Sequence, residues 1–300
     1  MGIERNTSGF RLQLQSHFRY VKRMIYSDKV LSQKLELTEA RANIDFVESR
    51  AKLEPEIGAT WIEIGGARAM FDGAQSPCTQ TFGLGLFDEI TGERLDEIED
   101  FFRSRGAPVF HEVSPLADPA IIPLLNSRGY RPIEMSTVLF RELEHGVPPS
   151  GPAEPEGRLK PRLKTRIIED NEADLWAATS AVGWSTEMDG LADFMFSFGR
   201  VSARSEGSYP FLAELDNKPV AAGMLFMSDD ACILAGASTI LEARNQGAQN
   251  ALFAARLKFA VEHGCRLAMM SSMPGSQSQK NAQKNGFEIA YTRTKWHLTV

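Results

Sequence analysis

Cysteine is scarce here: Cys78, Cys232 and Cys265 are the three thiols in 300 residues, and they lie far apart in apolar or strand-like surroundings. An odd, scattered set argues against a disulfide framework and against a zinc knuckle. The five histidines (His17, His111, His145, His263, His297) show no paired ligand spacing, so no metal is expected. No apolar run approaches the roughly 18 residues needed to span a membrane. Met1 to Tyr20 is polar and mixed, without an apolar stretch leading to a small-residue cleavage site. The expected location is the cytoplasm, with no membrane partner. An excess of basic charge is missing too. The formal net charge of −6 disfavours nucleic acid as a partner, because that binding depends on neutralising phosphates. The short cluster Arg19, Lys22, Arg23 reads as a solvated helix face.

What is present suits a globular chain. A hydrophobic fraction of 43% and a charged fraction of 24% allow real cores. The length suggests two domains of about 150 residues each. The stretch from His145 to Lys160 holds four prolines and three glycines without apolar period, so it reads as a linker. The expected division is a domain over 1–145, a linker over 146–161 and a second domain over 162–300.

The two halves share an order of elements. In the first, residues 95–106 read as a helix with Leu95, Ile98 and Phe102 on one face, stopping at Gly106. A strand, a proline, a helix, the pair Gly129-Tyr130 and a final strand over 135–143 follow. In the second, a helix over 250–264 with Phe253, Leu257 and Val261 stops at Gly264, and the same sequence of features leads to Gly286-Phe287 and a last strand. Gly106 and Gly129 are 23 residues apart, Gly264 and Gly286 are 22 apart, and the agreement of order and spacing reads as an internal duplication. Upstream, 211–215, 219–227 and 231–239 read as a tightly turned antiparallel meander, and 61–71 and 79–87 as single strands of the first half. Residues 35–53 read as a helix with Leu37, Ala40, Ile44, Val47 and Ala51 along one face.

One segment carries a chemical signal. Ser238-Thr239 ends a strand, Arg244-Asn245-Gln246-Gly247 forms a polar loop, and Ala248-Gln249-Asn250 opens an alanine-rich helix. Free amides and the dipole at a helix N-terminus favour phosphate, Gly247 keeps a Cβ out of the way, and Arg244 adds positive charge. With the helix, Gly264, strand and Gly-Phe pair that follow, this region resembles the GNAT N-acetyltransferase superfamily. There a Gln/Arg-x-x-Gly-x-Gly/Ala loop grips the diphosphate of acetyl-CoA, and Arg244, Gly247 and Gln249 occupy that pattern here.

The resemblance covers roughly 165–300, and a fainter version covers 35–143. It implies an α/β fold of two tandem GNAT-like domains, each a mixed, largely antiparallel sheet flanked by helices. It also implies acetyl-CoA as acyl donor and a small-molecule or peptide amine as acceptor. The donor site would comprise Ala237, Ser238, Thr239, Arg244, Asn245, Gln246, Gly247, Ala248, Gln249, Asn250, Ser278 and Asn281.

Two departures stand out. Gln249 is bulkier than the usual small residue, and Ala282 stands where many members carry the tyrosine that protonates the departing thiolate. The first half has Asp88, Glu89 and Glu93 where phosphate would sit, and its Gly83-Leu84-Gly85 reads as packing inside a strand, so it looks like a copy without cofactor binding. Catalytic residues are not assigned. Glu187, Asp189 and Glu214 are the carboxylates to consider as base, Tyr291 is a substitute acid, and 183–206 with Trp184, Phe194, Phe196 and Phe198 is a candidate acceptor wall. The alternative to an acyltransferase is a non-catalytic acyl-CoA sensor or partner-binding module. Oligomeric state is not legible.

Overall fold

A computed structural model of the chain describes residues 27–144, 163–185 and 190–299. The expected linker over 146–161, the basic cluster Arg19, Lys22, Arg23, and the carboxylates Glu187 and Asp189 lie outside the described residues. The chain begins with α1 (Lys29–Leu53), capped by Asp28, whose carboxylate accepts the Leu31 amide at 2.8 Å. Then come β1 (Thr60–Ile64), β2 (Ala67–Phe71), β3 (Gln80–Phe82), α2 (Gly92–Arg103), β4 (Phe110–Val113), α3 (Ile121–Ser127) and β5 (Tyr130–Glu142). The second half contributes β6 (Leu163–Ile167), α4 (Ala173–Trp184), α5 (Leu191–Ser202), β7 (Ser208–Leu215), β8 (Lys218–Ser228) and β9 (Ala231–Thr239). It closes with α6 (Ala248–Glu262), β10 (Leu267–Ser272), α7 (Gln277–Lys284) and β11 (Glu288–Leu298).

From β1 to β5 and from β7 to β11 the same elements follow in the same order, as the duplication requires. Both copies also set their third and fourth strands parallel, β3 beside β4 and β9 beside β10, and all other pairs are antiparallel.

Three local readings are corrected. Residues 61–71 form two strands, not one, because Gly65 and Gly66 at φ +56° and +74° turn the chain into a β1–β2 hairpin. The segment 79–87 keeps only β3 as strand. Gly83 and Gly85 take φ +77° and +69° and turn it away, sending Leu84 and Leu86 into the core. On α1, Leu37 faces outward and Leu35 is fully buried instead.

The eleven strands form one sheet in the order β1-β2-β3-β4-β11-β5-β10-β9-β8-β7-β6. The last strand of each half has therefore crossed into the other. β11 pairs with β4 of the first half, β5 pairs with β10 of the second, and β5 and β11 pair with each other from Tyr130↔Leu298 to Phe140↔Glu288.

Alternation along β5 and β10 places Leu139, Ala268 and Met270 on one face under α6, with Leu252, Leu257 and Ala260. Val138, Phe140 and Met269 point to the opposite face, where they meet Leu35 of α1. In the first half Leu95, Ile98 and Phe102 of α2 cover Ala67, Ala69 and Val113.

A buried ion cluster reinforces the exchange. Arg293 of β11 is 3% exposed, and its guanidinium reaches Glu36 and Glu39 of α1 at 3.3 and 2.8 Å. Its Nε also lies 3.0 Å from Glu112 of β4, in an orientation too bent for a hydrogen bond. Removing one partner of such a buried pair typically costs about 3–5 kcal/mol.

Severing the halves would strip β11 of both neighbours and leave β10 as a bare apolar edge. The full chain is expected to unfold in a single transition, with fluorescence and circular dichroism giving one denaturant midpoint. Residues 163–300 expressed alone are expected to aggregate. Two separated midpoints, or a soluble folded half, would contradict the shared-sheet account.

Candidate functional site

The second half opens where its strands stop pairing. β9 meets β10 over Ala231–Ile233 only, opposite Leu267–Met269, and beyond that the two diverge. The cause is a bulge between Ala222 and Met224 of β8, where β9 spends one extra residue and Gly236 sits at φ +57°.

Arg256 of α6 holds the distortion in place. Its side chain is 1% exposed, and its Nη1 donates to Met224 O at 3.0 Å and Ala235 O at 3.4 Å, one acceptor on each strand. Burial lowers its pKa to about 10, so it remains a cation at neutral pH.

The gap widens into a cleft of about 710 Å³ that runs from the bulge to the start of α6. Ala237, Ser238 and Thr239 line it along β9, and Arg244, Asn245, Gly247, Ala248, Gln249 and Asn250 line its end. Ser278 and Asn281 face it from α7. Gln246 is the exception among the residues singled out from the sequence. Its amide donates to Glu242 O at 3.1 Å and it does not line the cleft.

The cleft ends at the start of α6. α6 starts with Gly247 at φ +88° in the N-cap position, with no capping side chain and no acidic residue in the first turn. An added Cβ at Gly247 would meet nothing nearer than Leu163 at 4.0 Å, so the approach to the amides is open. Arg244 packs against the rim, donating to Thr239 O and Gly183 O at 3.3 Å. Gln249 turns back to Thr239 Oγ1 at 2.7 Å, so its bulk lies along the strand.

Several cleft residues escape sequence reasoning. Gly183 of α4 lies against β9 so closely that a Cβ there would come within 2.5 Å of Ser238 Oγ. Trp184, expected in an acceptor wall, lines this cleft instead, and its buried indole N–H has no partner among the described residues. Phe253, Arg256, Met270, Ser271 and Gln277 also line it. None belongs to a local motif, so only the fold assembles them.

Other expectations are not met. Ala282 is fully buried under Phe287, so that α7 position faces the core. Tyr291 lies away from the cleft, its hydroxyl donating to Glu36 at 2.9 Å, and burial drives its pKa far up, so it is not an acid for the site. Glu214 is held by Arg166 at 2.8 Å on β7 and does not line the cleft. Phe196 packs against Trp176 and Leu212, and Phe194 is 40% exposed.

Among the described residues, the first half has no counterpart of the cleft's geometry. β3 is three residues long, and Leu84 and Leu86 fill the space beyond it. His111 is fully buried there. It meets the Tyr130 hydroxyl at 2.9 Å, Tyr130 donates to Glu99, and burial pushes the imidazole pKa down to about 3.

Glu36, in the ion cluster, carries a testable signature. Burial raises its pKa from the usual 4.5 to about 7, with Arg293 opposing the rise. The folded state therefore holds a proton that the unfolded chain releases, and stability is lost as pH rises from 4.5 through 7. A shift of this size corresponds to roughly 3 kcal/mol. Glu36→Gln is expected to match the parent near pH 5 and exceed it near pH 8, read as denaturant midpoints. The His111 contribution is common to both proteins and cancels. Parallel curves would show that Glu36 stays ionised throughout.

No protein-family model and no curated protein sequence matches this chain. Solved structures do. A GCN5-related N-acetyltransferase from Kribbella flavida superposes with a TM-score of 0.63 at 17% identity, over 90% of this chain and 96% of that one. A tandem GNAT protein from the clavulanic acid biosynthesis pathway gives 0.57 at 14% identity, over 92% and 98%. A GCN5-related N-acetyltransferase from Sphaerobacter thermophilus gives 0.51 at 13%, over 73% and 71%. At these identities the likeness is one of fold. With the duplicated order of elements and the splayed β9–β10 pair already described, it shows that this chain has the GNAT fold in tandem form.

Proposed function

We propose that the chain is an acyl-CoA-dependent N-acyltransferase whose second half binds the acyl donor. The observation that carries this is the cleft itself: an unpaired strand edge from Ala237 to Thr239 leading directly to an uncapped helix N-terminus without acidic residues. The open strand edge suits the amide groups of a pantetheine arm, which would add to it as a further strand. The amides of residues 247–250 and the α6 dipole suit the diphosphate. Ser278 and Asn281 flank the arm from α7, and the free Trp184 N–H offers a donor inside the cleft.

The reaction is direct attack of an amine on the thioester. Holding both partners at the gap between β9 and β10 supplies acceleration by positioning, and a backbone amide freed by the bulge stabilises the developing oxyanion. Among the described residues, the cleft lining contains no carboxylate, imidazole, thiol or phenol. On this reading water protonates the departing thiolate. A thiol pKa near 8.5 makes this tolerable. The same observation favours, as second reading, a non-catalytic acyl-CoA sensor. Turnover of acetyl-CoA in the presence of amines separates the two.

Calorimetry with acetyl-CoA is expected to give one site per chain, because the first half lacks both the overhanging strand and the anion site. Two equivalent sites would contradict this reading. Gly247→Glu is expected to abolish that binding without loss of fold. Gly247→Ala serves as control, since the left-handed φ alone costs about 1–2 kcal/mol while its Cβ has room. Unchanged affinity in Gly247→Glu would place the phosphates elsewhere.

A further inference from the structure

The cleft continues through the sheet. Between the diverging ends of β9 and β10 it opens into a second chamber of about 250 Å³, and both spaces are bordered by Leu234, Ala235, Gly236 and Ser271. The chamber's outer wall is shared between α1 of the first half and the α5–β7 region of the second. Glu39, Ala42, Asn43 and Phe46 of α1 face Phe198 of α5, and serines from the end of α5 and the start of β7 complete it.

The polar groups of this chamber present acceptors. Ser202 Oγ donates to Phe198 O at 3.1 Å, Ser205 Oγ to Val201 O at 3.0 Å, and Ser208 Oγ to Ser205 O at 2.6 Å. Asn43 Nδ2 donates to Glu39 O at 2.8 Å, and Ser271 Oγ donates to Glu39 Oε1 at 2.9 Å. Each serine hydroxyl proton is thus spent on a neighbour, which leaves the hydroxyl lone pairs, while Asn43 keeps its carbonyl oxygen and a second N–H. Glu39 accepts from Ser271 and twice from Arg293, which leaves one of the roughly four lone-pair sites of its carboxylate.

The charges behind Glu39 point the same way. Glu112 on β4 and Glu36 on α1, the latter about half protonated at neutral pH, accompany it against Arg293 and Lys295 of β11, so the cations do not outnumber the carboxylates. The remaining walls, Phe46, Phe198 and Phe226 among them, are apolar.

Resting on the acyltransferase reading above, we infer that this chamber seats the acceptor: a primary ammonium on a small apolar body, its nitrogen held by Glu39 beside Ser271. In the transfer, the ammonium gives one proton to the Glu39 carboxylate and becomes a neutral amine. Its lone pair forms the C–N bond, the carbonyl electrons move to oxygen, and their return breaks the C–S bond. The second proton leaves nitrogen for solvent, the thiolate takes one from water, and Glu39 returns its own to solvent. The products are an amide and the free thiol, with one net proton released. On this account the first half supplies the base and shares the acceptor wall.

The test uses the full chain and 2-phenylethylamine as probe, with and without CoA, so that binding is read independently of turnover. The amine is expected to bind, and 2-phenylethanol and spermidine to bind at least tenfold more weakly. Glu39→Gln, which keeps the shape and loses the charge, should weaken amine binding at least tenfold and lower kcat. Ala42→Leu, which fills the chamber from α1, should raise the amine KM at least tenfold. Both should leave CoA affinity within twofold of the parent. No amine binding, equal binding of the alcohol, or unchanged amine affinity in both variants would overturn the inference. Failure of CoA to bind would instead overturn the acyltransferase reading, while amine binding to the chain alone would still decide the chamber.

Discussion

The exchange of final strands is the constraint on which the molecule depends. β5 and β11 lie side by side at the middle of the sheet, each bordered on its outer side by the opposite half. Neither half can complete its sheet alone, and the ladder Tyr130↔Leu298 to Phe140↔Glu288 makes the two copies one core. Because Arg293 rides on β11, the exchange also carries a cation into the first half, where Glu36, Glu39 and Glu112 gather around it. Buried carboxylates on α1 are tolerable only because a strand from the other copy crosses to meet them.

The cleft follows from a second, local constraint. One extra residue in β9 near Gly236 bends that strand away from β10, and Arg256 satisfies the carbonyls that the bend would otherwise orphan. The two constraints meet at Ser271. It lies on β10 at the edge of the gap, beside the donor cleft on one face, and it donates to Glu39 from the other. Through this serine the first half is joined to the cleft of the second.

Much of this was legible in the sequence where the signal is local. The paired glycines Gly106 and Gly264, the Gly-aromatic pairs and the helical periods around Leu95 and Phe253 fix element order, because helix stops and faces are written in neighbouring residues. The residues singled out between Ala237 and Asn250 mark the cleft's end for the same reason, and among them Gln246 alone is turned aside. What was not legible is long-range. The alternation of β5 and β11 says that each is a strand, but not which strands flank it. Glu36 and Glu39 look like solvent-facing helix residues until Arg293, more than 250 positions away, is placed beside them. Gly83 and Gly85 lie among residues that alternate as a strand would, and only their positive φ shows the turn. Arg256 and Ser271 sit in an ordinary helix and strand, so no motif announces them.

The central claim is that one acyl-CoA lies in the second half, along the unpaired edge of β9, with its diphosphate at the start of α6. A crystal structure of the chain with CoA tests it directly. The account predicts density for the diphosphate at the amides of residues 247–250, the pantetheine arm running between β9 and β10 past Ser238, and the thiol beside Gly236 and Ser271. Density for CoA over the turn at Gly83–Gly85, or across the outer face of the sheet with the β9–β10 gap left clear, would contradict it.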